Sequence, residues 1–330
     1  MIITRTPFRI SFFGGGTDYP AWYQEHGGVV LATSIDKYCY ISCRCLPPFF
    51  EHKYRVVYSR IENCKTVDQI EHPAVRAVLN YMECDTGLEI HHDGDLPARS
   101  GLGSSSSFTV GLLNALTALK GNRIANHELA RKAIHIEQDI IKENVGSQDQ
   151  ISAAYGGLNQ VEFLRDGSFR VEPVILRQDR LEELQSHLML FFTGFSRYAS
   201  DIARSQIDNM KNRTAELHRM KEFVHEAVQV MQSSTPIEGV GELLDQNWKY
   251  KRGLSEMVSN QDIDRIYEVA KQAGAIGGKL LGAGGGGFMV FFVKPELQKK
   301  VREALGRLIH VPFRFENNGS RVVLYQPQGL

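Results

Sequence analysis

The stretch LPARSGLGSSSSFTVGLLNALTAL, Leu96–Leu119, sets Gly-Leu-Gly and four serines directly before a long apolar run. Glycine and serine are weak helix formers, and a single serine suffices to cap a helix. Four in a row at a helix start therefore suggest more than a cap. The first N–H groups of a helix lack partners within it and carry the positive end of its dipole, so such a start binds anions. Gly101 and Gly103 allow the backbone to approach phosphate oxygens closely. The serine hydroxyls add donors or touch a metal. A plain serine cap behind a glycine turn is the competing reading. No Gly-Lys-Ser/Thr follows, so this is not a Walker A loop.

The surrounding chain limits what the anion can be. The 330 residues are 42% hydrophobic and 23% charged, a globular balance with material for a sizeable core. Thirty-eight basic residues match thirty-eight acidic ones, so no overall field recruits nucleic acid or an anionic membrane. A small anion held by local geometry is expected instead. Cys39, Cys43, Cys45, Cys64 and Cys84 are odd in number and show no Cys-x-x-Cys spacing. That argues against a disulfide framework, and Cys39, Cys43 and Cys45, on one parity of an apolar stretch, read as reduced, semi-buried strand residues and not as a metal site. The N-terminal segment does not look like a signal peptide, and no apolar run is long enough to span a bilayer. A cytoplasmic location is the expectation.

Outward from Leu96, the first third alternates as strands do, over Val29–Leu46, Lys53–Ile61 and Thr86–Leu96. Helices are expected over Ser105–Leu119 and from Asn126 to about Asn144, the second closed by Gly146. A hairpin is expected around Asp166-Gly167. Beyond a buried strand at His187–Gly194 the pattern turns helical, over Ile202–Met231, Pro236–Ser259 and Asp262–Ala273. A helix over Pro295–Leu308 and strands near Phe313–Phe315 and Val322–Tyr325 close the chain. This is an α+β pattern, with a boundary near residue 180.

Two further glycine-rich segments flank the first. In PFRISFFGGGTDYPAW, Pro7–Trp22, a strand carries Arg9 and ends in Gly14, Gly15 and Gly16, before Thr17 and Asp18. Glycines at a strand end permit close approach of a ligand, Asp18 can accept from hydroxyls, and Arg9 can hold an anion. A solvated arginine and an Asx-turn at Asp18 fit equally well. In LLGAGGGGFMVFF, Leu280–Phe292, Gly282, Gly284 and Gly287 match Gly-x-Gly-x-x-Gly. The pattern before it is helical and a strand follows, the reverse of the dinucleotide fingerprint, so a Rossmann site is rejected.

Two carboxylates complete the set. Glu137 sits on the apolar side of its helix, where it needs a metal or a cationic partner to offset desolvation. Asp149 opens a short helix, in which Ser147 and Gln150 are spaced as a capping box.

PFRISFFGGGTDYP, LPARSGLGSSSSFTVG and KLLGAGGGGFMVFF resemble, in order, the three motifs of the GHMP small-molecule kinases. That group includes galactokinase, homoserine kinase, mevalonate kinase and phosphomevalonate kinase. The resemblance covers the whole chain, and Pro97-x-x-x-Gly101-Leu102-Gly103-Ser104-Ser105 is its most specific part. It implies an N-terminal domain similar to the second domain of ribosomal protein S5 (residues 1–180) and a ferredoxin-like C-terminal domain (residues 181–330). It also implies ATP and Mg²⁺. The nucleotide phosphates would lie on Pro97, Arg99, Ser100 and the Gly101–Ser106 backbone, which includes Leu102, Gly103, Ser104 and Ser105. By the same resemblance Ser105 and Glu137 hold the metal, Asp149 is the catalytic aspartate and Arg9 stands beside it.

Gly15-Gly16-Thr17-Asp18 departs from the Gly-Glu-His-Thr-Asp of galactokinase. It looks like the branch that phosphorylates the anomeric oxygen of heptose 7-phosphate. Gly15, Gly16, Thr17, Asp18, Gly284 and Gly285 would then contact the sugar phosphate, and Lys37, Arg44 or Arg197 would meet its distal phosphate. A fucokinase- or galactokinase-like enzyme, or a non-catalytic sugar or nucleotide sensor, shares the same motifs.

Overall fold

The computed structural model describes residues 1–98, 100–194 and 199–327. In the first half the strands are β1 (Ile2–Phe13), β2 (Gly28–Cys45), β3 (Tyr54–Val57), β4 (Ile61–Cys64), β5 (Leu88–Gly94), β6 (Leu158–Phe163) and β7 (Phe169–Pro173). In the second half they are β8 (Leu188–Gly194), β9 (Ala275–Leu280), β10 (Gly287–Val293), β11 (Ile309–His310) and β12 (Arg321–Tyr325).

Eight of these form one sheet in the order β12-β1-β2-β5-β3-β4, with β6 also on β2 and β7 on β6. β2 is long enough to serve two neighbours on its outer edge. Gly28–Thr33 pairs with β6 and Cys39–Cys45 with β5, while β1 runs antiparallel along its other side. The remaining four strands form an antiparallel sheet, β11-β8-β10-β9.

From Thr6 to Phe13 every residue of β1 is buried, because helices cover both faces. The helices Ser104–Leu119 and Gln148–Tyr155 pack on β1 and β2, and Thr214–Gln232 also packs on these two strands. The Glu238–Arg252 helix lies on β9 and β10 and also reaches β1, so it joins the two sheets. Phe8, Ile10, Phe12, Leu112, Leu116, Phe223, Val240, Leu244 and Phe288 belong to one buried apolar cluster spanning both sheets. A second cluster, around Trp248, Tyr267 and Phe291, fills the space beneath the smaller sheet. Among the described residues, no helix is long and apolar enough to cross a membrane.

Four expectations are corrected. The strand β9, not a helix, precedes the third glycine motif, so Leu281–Gly286 link two strands of a hairpin. No helix follows, and the dinucleotide fingerprint fails on that ground. The helix from Asn126 stops before Asn144: regular turns end at His135, a wider turn covers Ile136–Ile140, and Lys142 takes a positive φ. Gly146 closes nothing. The expected Ile202–Met231 helix breaks at Met210–Asn212 into Ala199–Asn209 and Thr214–Gln232. Finally, a single cut at residue 180 does not separate the sheets. Phe315 bridges to Ile35 and β12 pairs with β1, so the tail of the nominal second half returns to the first sheet.

Candidate active site

The three glycine motifs meet at the end of β1. Alternation along the strand turns Arg9 away from the Phe8/Ile10 face and toward the segment before the Ser104–Leu119 helix. The backbone N–H of Arg9 donates to Leu102 O at 3.0 Å, and its Nη1 donates to Gly101 O at 2.6 Å. The rest of the guanidinium is spent on Asp149, with Nε to Oδ1 at 2.8 Å and Nη2 to Oδ2 at 2.9 Å. This fork is mostly withdrawn from water, with the side chains 5% and 15% exposed.

Gly103 caps the helix in the left-handed region at φ 74°, and no side chain caps that terminus. A Cβ on Gly103 would sit 3.3 Å from Arg9 Cγ and 3.4 Å from Asp149 Oδ2. The helix start and the Arg9–Asp149 pair are therefore so close that a side chain at Gly103 would crowd them. The third motif seals the loop from behind. Ser100 O accepts from Phe288 N at 3.1 Å, and a Cβ on Gly101 would lie 2.4 Å from Leu281 O. Ser100 Oγ is turned inward to Pro97 O, and the Leu102 side chain is buried, so both hold the loop's shape.

Glu137 lies beneath the same helix, fully buried. Its Oε2 accepts from Ser106 Oγ at 2.7 Å and from Gln150 Nε2, while Oε1 is buried with no partner. Burial pushes the carboxyl up to about 7, against the hydrogen bonds from Ser106 and Gln150. The wide turn that carries it closes through Ile141 N to Ile136 O; such turns are frequent at functional positions. The serine beside Glu137 is Ser106, not the expected Ser105. Ser105 is exposed in the first turn, whereas Ser106 and every residue after it to Leu113 are buried. Gln150 is committed to Glu137, and no side chain caps the helix at Ser147, so no capping box forms there.

The first motif divides into two roles. Thr17 Oγ1 donates to Gly14 O and Val29 O and accepts from Val29 N, wholly inside the fold. It is not exposed to a substrate, which corrects the expectation for it. Asp18 is buried with Oδ1 on Gly16 N at 2.9 Å and Oδ2 on Gln148 Nε2 at 2.8 Å. Its carboxyl is raised by burial, helped by the charge of Asp149. Gly15 lies beside Ser11, Gln148 and Lys251. Gly284 and Gly285 sit in the hairpin loop, where Gly285 N donates to Val258 O.

The distal-phosphate candidates fare differently. Arg44 is ten residues along β2 from Ser34, the residue opposite Arg9. That is on the order of 30 Å away at about 3.3 Å per residue, and Arg44 pairs with Glu89. Lys37 is taken up by Asp36 at 3.0 Å. Arg197, like the phosphate-loop Arg99, lies outside the described residues.

Residues 69–157 match the GHMP kinases N terminal domain, and residues 227–310 match the GHMP kinases C terminal domain. Over 317 residues the chain is 30% identical to a D-glycero-alpha-D-manno-heptose 7-phosphate kinase of Campylobacter jejuni, covering 92% of this chain and 93% of that protein. The chain belongs to the GHMP kinases. It is an ATP-dependent small-molecule kinase with the α+β fold of that group. A galactokinase of Pyrococcus furiosus is 25% identical over 93% of both chains. In fold, this GHMP kinase superposes on the crystal structure of a D-glycero-D-manno-heptose 1-phosphate kinase from Bacteriodes thetaiotaomicron. The TM-score is 0.78, at 23% identity and 98% coverage of each chain.

Two lysines of this GHMP kinase join the site without having been singled out from the sequence, Lys279 at the head of the third motif and Lys251 outside all three. Lys251 and Lys279 are both buried, and both sense the charges of Arg9 and Asp18. A signal for Lys251 was present in the sequence. Val240, Leu244, Asn247 and Lys251 share one stripe of their helix at intervals of three and four, so the lysine falls on the apolar face.

Proposed function

We propose that this kinase transfers the γ-phosphoryl group of ATP to the anomeric hydroxyl of D-glycero-D-manno-heptose 7-phosphate. The product is the 1,7-bisphosphate, a precursor for nucleotide-activated heptose. The observation that carries the transfer is the Arg9–Asp149 fork pressed against Gly103 at an uncapped helix start. The choice of sugar is supported by the 30% identity to the Campylobacter jejuni enzyme and by the Gly15–Asp18 segment.

The triphosphate lies along the Gly101–Ser106 backbone, where helix N–H groups and the dipole favour it. Asp149 orients the anomeric hydroxyl and accepts its proton. The sugar oxygen forms a bond to Pγ, the bond from Pγ to the bridging oxygen breaks, and ADP departs with that electron pair. Arg9 holds Asp149 and the loop carbonyl of Gly101 with one guanidinium, so much of the acceleration is positional. Asp18, anchored by Gly16 and Gln148, receives ring hydroxyls. Glu137 fits a Mg²⁺ ion, because its Oε1 is a buried carboxylate oxygen with no protein partner. Glu137 and Ser106 would hold the ion, with Ser105 beside them; bound there, it supplies charge neutralisation to the phosphates.

The test is coupled ADP release with Mg-ATP and heptose 7-phosphate, free heptose, mannose, galactose or fucose. Turnover confined to the 7-phosphate and lost in Asp149→Asn is expected. Preference for a free hexose or fucose moves the enzyme to another sugar-kinase branch. ATP binding without turnover of any sugar makes it a sensor.

A further inference from the structure

Among the described charged groups around Arg9, one cation has no carboxylate in direct contact. Arg9 is met by Asp149 in a bidentate pair. Asp18 is satisfied by two neutral donors, Gly16 N and Gln148 Nε2. Lys279 donates to Ser11 O at 2.7 Å and Phe12 O at 3.0 Å, so its ammonium end is committed to bracing β9 against β1. Lys251 remains. It is 5% exposed, and its hydrogen bond is to Gly282 O at 2.6 Å. A lysine ammonium has three N–H donors, so two are left over.

The space beside it is polar. An atom at the Cβ position of Gly15 would be 4.0 Å from Lys251 Nζ, 3.6 Å from Ser11 Oγ and 3.7 Å from Gln148 Nε2. Ser11 Oγ and Gln148 Oε1 are buried there without partners. The two cations also bear on one loop contact. Arg9 holds Gly101 O, Lys251 holds Gly282 O, and a Cβ on Gly282 would come within 2.6 Å of Gly101 Cα. Two neighbouring cations in a poorly screened site repel each other unless an anion joins them.

We propose that Lys251 is a second cation of the transfer site, contacting the phosphoryl group in flight alongside Arg9 while pinning the third motif to the phosphate loop. It donates hydrogen bonds and exchanges no proton. This rests on the kinase reading above. Burial, then the charge of Arg9, brings its ammonium down to about 8, so the cationic form is lost as pH rises past that value.

The experiment compares wild type, Lys251→Met and Lys251→Arg under the same sugar and ATP conditions, with melting curves of each. In Lys251→Met, kcat is expected to fall at least thirtyfold with both KM values within threefold. Lys251→Arg is expected to recover kcat to within tenfold and to lack the fall of kcat above about pH 8 that is expected of wild type. Wild-type kcat in Lys251→Met overturns the proposal. So does a loss confined to KM or to melting temperature, or a Lys251→Arg profile with the wild-type alkaline fall. A wild-type protein that phosphorylates no sugar overturns the kinase reading itself, and that result is seen before any variant is compared.

Discussion

Both oxygens of Asp149 rest on the Arg9 guanidinium, Oδ1 on Nε at 2.8 Å and Oδ2 on Nη2 at 2.9 Å. The pair therefore positions the carboxylate and holds two parts of the fold together, since Arg9 is on β1 and Asp149 on the Gln148–Tyr155 helix. Asp149→Asn should reduce kcat by about 10³-fold or more, as expected for a residue that handles the transferred proton. It should also destabilise the protein by about 3 kcal/mol, because a buried cation loses its partner. In a denaturant-unfolding cycle, Arg9→Met with Asp149→Asn should cost less than the sum of the single changes, by at least about 1 kcal/mol.

Glu137 separates stability from activity. Its carboxyl is raised from 4.5 to about 7, so between those values the folded chain holds more protons than the unfolded chain. Its contribution to stability is therefore lost as pH rises through that window, and at pH 8 the ionised side chain is a burden. Glu137→Gln should raise the melting temperature at pH 8 by roughly 2–5 °C and leave it nearly unchanged at pH 4. The same variant should lose at least about a hundredfold in kcat, and the thermal shift expected of wild type on adding Mg²⁺ should be absent from it.

Gly146 is a steric gauge of Asp18. A Cβ at this position would lie 1.9 Å from Asp18 Oδ2. Gly146→Ala must push the carboxylate off Gln148. The KM for the sugar should rise by roughly tenfold, about 1.4 kcal/mol, with the KM for ATP little altered. Steady-state titration of each substrate at saturating levels of the other checks this.

Thr17 should behave as a structural residue despite its place in the motif. Thr17→Val leaves the buried Val29 N–H and two carbonyls without their hydroxyl partner. A loss on the order of 2–3 kcal/mol in unfolding free energy follows, with sugar KM unchanged in the folded fraction. Thr17→Ser, which keeps the oxygen, should stay within about 1 kcal/mol of wild type.

The convergence of the motifs was legible in the sequence because glycine leaves a visible trace wherever backbones must touch. Gly101, Gly282 and Gly287 stand where a Cβ would collide with another motif's main chain. The start of the Ser104–Leu119 helix and the Asp166-Gly167 hairpin were legible for a related reason, since local residue preferences and tertiary structure agree there. Expectations failed where a long-range demand overrode local periodicity. The Asn126 helix widens at Ile136–Ile140, where Glu137 meets Ser106 and Gln150. Ser105 was preferred over Ser106 because sequence does not reveal which serine of a run faces inward. Lys251 was missed because a lysine near a helix end ordinarily reads as a complement to the dipole. Its place on an apolar stripe was the stronger sign.

The strand that carries Arg9 is completed by the far end of the chain. β12 pairs Tyr325 with Ile2 and Arg321 with Arg5. Translation runs from the N-terminus, so one edge of β1 has no partner until some three hundred further residues have left the ribosome. At about 5–20 residues per second that interval is tens of seconds. An unpaired strand edge is a template for pairing with other chains. Newly made protein is thus exposed to misassembly at the strand its chemistry depends on, and the arrival of β12 is what ends that exposure at Ile2–Arg5.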